Sequence, residues 1–109
     1  MASPFKRVSA INVGVAPVDV ATVPALKVWT LIDCSCAGLL ATEVKGTVQH
    51  VQGATVAHLI KAGPIPTGSA MVVVGAPRKV VMVAGDILRA VADTAAGMDV
   101  VASFLEQDA

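Results

Sequence analysis

The residues of this chain best equipped for chemistry are two cysteines separated by one residue, Cys34 and Cys36, and two histidines, His50 and His58. A Cys-x-Cys pair following a strand could supply thiolates to a metal or an iron–sulfur cluster, but two thiolates do not complete a site. No third cysteine and no Cys-x-x-Cys spacing accompanies them. They therefore read as ordinary reduced thiols, in keeping with a cytoplasmic protein, and remain weak metal candidates. A disulfide between residues so close in sequence would be strained. His50 and His58 fall on different expected elements and have no carboxylate nearby in sequence, which points to hydrogen-bonded structural imidazoles rather than ligands or bases. Ser35, Ser69 and Ser103 lack a nucleophile-elbow setting. The glycines and prolines at Gly63, Pro64, Pro66, Gly68, Gly75 and Pro77 lack phosphate-loop spacing and read as turns. No catalytic residue and no cofactor is expected, and the chain is not expected to be an enzyme.

Something must position these groups, and composition limits what it is. At 109 residues the chain is of one-domain size, and 55% of it is hydrophobic before the nine glycines are counted. Ordinary domains reach roughly 45–50% with glycine included. A domain of this size buries only about 60–70% of its chain's surface, so the surplus apolar surface is expected to meet another subunit. Every long apolar run is broken by a charge or a proline before the ~20 residues of a membrane-spanning helix, so no membrane association is expected. Lys6 and Arg7 before an Ala/Val-rich stretch faintly resemble a secretory signal, but Pro17, Asp19 and Pro24 interrupt it. Eight basic residues balance eight acidic ones, and one Trp with two Phe are all the aromatics. Neither a basic patch nor a stacking platform for nucleic acid results.

The patterns predict strands at 9–15, 26–32, 47–51, 70–74 and 100–105, where β-branched residues cluster between turn signals. A short helix is expected between Pro17 and Pro24, and a connector from Cys34 to Lys45. A helix capped by Thr55 is expected to run to Gly63. A long helix is expected from about Arg78 to Ala96, with Val80, Val83, Ala84, Ile87, Leu88 and Val91 on one face and Asp86, Arg89 and Asp93 on the other. The fold class is then α+β: residues 1–7 an N-terminal tail, and 8–109 a single domain with a small, mostly antiparallel sheet and helices packed on it. Trp29 is expected in the core or an interface.

Three segments carry a family resemblance. TVQHVQGATVAHLIKAG at 47–63 and MVVVGAPRKVVMVAGDILRAVAD at 71–93 resemble the circularly permuted shell proteins of ethanolamine- and propanediol-utilization microcompartments, and LKVWTLID at 26–33 resembles a strand of their tandem-domain relatives. A turn like Gly75-Ala76-Pro77 precedes the helix in those relatives too. The element order looks cyclically rotated, with residues 8–33 standing where the family places its closing elements.

The resemblance implies a BMC-type domain that self-assembles into a cyclic homohexamer, or a pentamer, and packs with other shell proteins into the wall of a bacterial microcompartment in the cytoplasm. It implies a central metabolite pore lined by Ala102, Ser103 and Phe104, with the end of the chain near Ala109 approaching it. Small uncharged groups there would select by width and hydrogen bonding. It implies an inter-hexamer edge at Arg89, beside Ala90, where the family commonly carries a lysine; the plainer reading pairs Arg89 with Asp93. Two alternatives stay open: a small-molecule- or metal-binding α+β oligomer using Cys34, Cys36 or a histidine, and an engineered rearrangement of a shell domain.

Overall fold

A computed structural model describes residues 4–75 and 79–108, and these form strands, turns and irregular segments with no helix. The strands are β1 (Phe5–Val13), β2 (Val18–Thr22), β3 (Lys27–Gly38), β4 (Val44–Gln52), β5 (Thr55–Ile65), β6 (Ala70–Val74), β7 (Val80–Val83), β8 (Ile87–Ala92) and β9 (Met98–Asp108). The first sheet has the order β1-β9-β3-β6, with β7 also paired to β3, and the second has the order β2-β8-β4-β5. Every pairing is antiparallel. With β6 and β7 counted as one interrupted strand, this is the connectivity of an eight-stranded jelly roll, whose two sheets enclose one core.

The α+β expectation is therefore wrong. The long helix over 78–96 is replaced by β7, a turn at Ala84–Gly85 and β8. Its periodicity misleads because Leu88, Ala90 and Ala92 also alternate strictly with Ile87, Arg89 and Val91, and that alternation sends the first set inward. Gly85, at φ 90°, breaks the run where a helix would need continuity. The helix expected at 55–63 is β5, joined to β4 by a two-residue turn in which Gly53 supplies the positive φ of a primed hairpin. The short helix at 17–24 is β2, and the connector after Cys34 is the second half of β3 followed by a loop. Phe5–Arg7, expected in a tail, open β1. Arg78, the expected helix start, Ala76 and Pro77 of the turn, and Ala109 at the chain end lie outside the described residues.

Inward side chains of both sheets merge into one apolar cluster that includes Leu31, Val48, Leu88, Met98, Val100 and Phe104. Trp29 packs on Phe104 with ring centroids 4.9 Å apart and donates from Nε1 to Glu106 at 2.7 Å, which satisfies its polar edge. Along β3 the pairing with β9 slips by one residue between Leu31 and Asp33. This bulge switches the phase of the strand, so Trp29 and Leu31 before it and Cys34 and Cys36 after it all face the core.

Candidate functional site

The strand registers define what each sheet presents to solvent. On the first sheet, Phe5 of β1 stands beside Leu105 of β9, which stands beside Thr30 of β3, which stands beside Val81 of β7. A second row runs Ser9, Val101, Ser35 and Val72, and Val28 faces Val83 at one end. Phe5, Val72 and Val81 are 62%, 68% and 61% exposed, and Val83 and Val101 are also exposed. The sequence rule that strands alternate core and solvent residues is obeyed here, but the solvent side is also apolar. Such a contiguous face is uncommon on a free monomer.

Between the two apolar rows lies a third, in which Arg7 of β1, Ser103 of β9 and Asp33 of β3 stand side by side. Neither Arg7 nor Asp33 forms an ion pair or side-chain hydrogen bond with another described residue. Some other charges find partners within the chain: Lys27 meets Asp108 at 2.6 Å and Arg89 Nε meets Asp19 at 2.7 Å.

The outer face of the second sheet carries Ile87, Val91 and Val56, and its central row differs. One polar row, Asp19, Arg89, Gln49 and His58, crosses all four strands. Arg89 donates to Asp19, and Gln49 Nε2 lies 3.2 Å from His58 Nε2. Within this row, Arg89 and Asp19, and Gln49 and His58, thus complete their hydrogen bonds laterally within the monomer.

The expected site residues are dispersed by this architecture. Ala102 and Phe104 are fully buried on the inner face of β9, and Ser103 faces out between them. Arg89 is held by Asp19 on a neighbouring strand, a partner 70 residues away, and not by Asp93 on a helix face. Asp93 instead accepts from the Lys45 backbone N–H, and this contact and a bond from Thr94 hold its carboxyl below the usual carboxylate range. Cys34 and Cys36 are buried on the same face of β3. Burial pushes their thiols up to about 12 and about 11, which keeps them protonated and unreactive at neutral pH. Among the described residues no group of three or more His, Cys, Asp or Glu is placed to hold a metal. No helix among them is long and apolar enough to cross a membrane.

One buried polar cluster escaped the sequence reading. His50 Nε2 lies 2.8 Å from Asp86 Oδ2, Gln52 Nε2 lies 3.3 Å from His50 Nδ1, and the Val83 N–H donates to the same Asp86 oxygen at 3.1 Å. The Asp86 backbone carbonyl accepts from Val23 N at 3.0 Å. With Nε2–H donating to the carboxylate, both imidazole nitrogens are used, and the cluster ties the β7–β8 turn to β4 and to the segment after β2. No nucleophile takes part, and its chemistry is structural. Only the 36-residue separation of His50 and Asp86 hid it, since neither residue signals the other locally.

Comparison with protein-family models, with curated proteins and with solved structures gives no match to this chain.

Proposed function

We propose that this protein is a structural subunit that self-associates through the outer face of its β1-β9-β3-β6/β7 sheet, and that it is not an enzyme. The observation carrying this reading is the contrast in exposed apolar side chains: Phe5, Val72, Val81, Val83 and Val101 stand on one sheet, whereas on the other only Val18 and Val56 among the described large hydrophobics are exposed, beside a hydrogen-bonded polar row. Burying apolar area of this kind drives association at roughly 25 cal/mol per Å² before the costs of ordering. The molecule measures 42 × 30 × 22 Å, and two stacked sheets with their side chains account for the thin dimension. Each broad face then offers on the order of 1,000 Å², against the roughly 800 Å² per partner of a standard stable interface. Jelly-roll sandwiches serve in capsids, lectins and cupins alike, so the reading rests on the face and not on the fold.

The expectation of a self-assembling subunit is kept. The microcompartment wall is not carried forward, because the long helix that was to carry its edge is replaced by β7 and β8, and two of the three residues expected at its pore face the core from β9. The metal-binding alternative is replaced as well, since the thiols that would serve it are enclosed in the core.

The native mass over a range of protein concentrations, by multi-angle light scattering in reductant, tests the proposal. A mass of at least two chains at micromolar concentration is the expected result. A monomer persisting at hundreds of micromolar would overturn it.

A further inference from the structure

We infer that a second copy of this chain docks on the exposed sheet about a two-fold axis running parallel to β9, with Arg7 of each copy set over Asp33 of the other. The inference rests on the self-association proposed above and adds its partner and its register. Arg7 and Asp33 share one row, on either side of Ser103. Each therefore lies one strand spacing, about 4.8 Å, from β9, in opposite directions.

A two-fold axis lying along β9, in the plane between two facing sheets, leaves positions on β9 where they are and exchanges the two sides. Leu105 and Val101 then meet their own copies, while Arg7 meets the partner's Asp33 twice over. An isologous interface demands this kind of self-complementarity. An axis across the strands would instead stack Arg7 on Arg7 and Asp33 on Asp33, which like-charge repulsion forbids. Aligned packing of two sheets within about 30° is a standard arrangement for faces of this shape.

Arg7 and Asp33 stand without an ion-pair partner among the described residues, and the outward residues of β9 between them and beside them are Val101, Ser103 and Leu105, with Asp99 and Gln107 at the two ends of the strand. Removal of two lone charges from water is costly unless they pair. Docking in this register pairs both, and an arginine–carboxylate contact adds directional hydrogen bonds.

Charge reversal separates this register from any other. In Arg7→Asp, each copy sets a new carboxylate over Asp33 of its partner; in Asp33→Arg, each sets Arg7 over a new guanidinium. Both variants alone are expected to self-associate at least tenfold more weakly than the natural chain. In an equimolar mixture the carboxylate introduced by Arg7→Asp lies over the guanidinium introduced by Asp33→Arg, and the unaltered Asp33 of the first variant lies over the unaltered Arg7 of the second. A mixed dimer is therefore expected to dominate in native mass spectrometry, where its mass differs from that of either homodimer. The double variant, with the charges exchanged within one chain, is expected to regain a homodimer. Circular dichroism and Tm of each variant check that these exposed substitutions leave the sandwich folded. If the mixture associates no better than its components while Val101→Glu still disperses the natural chain, the register is overturned and self-association through this face stands. If Val101→Glu leaves the mass unchanged, the face itself is overturned.

Discussion

The two outer faces of the sandwich are built from the same alternating strands, and each sets a central polar row between apolar residues, yet the rows differ. On the β2-β8-β4-β5 sheet, Asp19, Arg89, Gln49 and His58 form a row whose members are neighbours on adjacent strands and bond one another in pairs. On the β1-β9-β3 sheet the corresponding central row, Arg7, Ser103 and Asp33, has its two charges separated by an intervening strand and not bonded to each other. Polarity alone, then, does not define a solvent face. What matters is whether neighbouring polar groups bond one another within the monomer, and in the central row of the second sheet they do.

The largest effect should come from placing a charge in the centre of the apolar face. Val101→Glu is expected to weaken self-association at least a hundredfold, about 2.8 kcal/mol, whereas Gln49→Glu on the other face leaves the native mass unchanged. Sedimentation velocity of both variants checks this. Equal behaviour of the two would erase the distinction between the faces.

The second effect concerns stability. Asp86→Ala leaves His50 and the Val83 N–H without their buried acceptor and is expected to cost about 3 kcal/mol, lowering Tm by roughly 10–20 °C. Asp86→Asn, which keeps an acceptor oxygen, should lose roughly half as much. Thermal unfolding followed by circular dichroism distinguishes them. Oligomer mass should respond to neither once folding is allowed for.

The buried thiols give a pH dependence of defined sign. Their folded-state values, about 12 and about 11, lie above the ordinary 9.0, so between these limits the folded chain binds more protons than the unfolded one. Stability from this source is fully present below about pH 9 and is lost as pH rises through about 11 to 12. Urea titrations from pH 8 upward should show a falling midpoint, and a Cys34→Ala, Cys36→Ala chain a shallower fall. Consistent with this, neither thiol should react with a maleimide at pH 7 until denaturant is added.

Arg89→Ala should matter least. Its bond to Asp19 is partly exposed to solvent, and such pairs are worth at most about 1 kcal/mol. A loss of assembly on this substitution would shift attention from the apolar face to the polar one.

Several strands were legible in the sequence because their residues leave little alternative: Val28, Trp29, Leu31 and Ile32 fall within β3, Met71–Val74 within β6 and Val100–Phe104 within β9. The errors arose where short apolar runs satisfy both periodicities. Ile87, Leu88 and Val91 lie on a helical stripe, but the same stretch alternates as a strand, and a single sequence carries no term for the β2 and β4 neighbours that decide between them. At 55–63, Thr55 as a cap and Gly63 as a stop suggested a helix, while the turn at Gly53 commits the segment to pairing with β4. The surplus of apolar residues announced an interface, but its location needed strand register. Arg7 and Asp33 lie far apart in the sequence and come into one row only because β9 runs between them and β3 carries a bulge.

Hydroxyl-radical footprinting of the natural chain, at concentrations below and above its association midpoint, reports which side chains the second copy covers. Concentration-dependent protection of Phe5, Leu105 and Val101 is expected, with Ile87, Val91 and His58 reacting equally at both concentrations. Protection confined to Ile87, Val91 and His58 would contradict self-association through the apolar sheet.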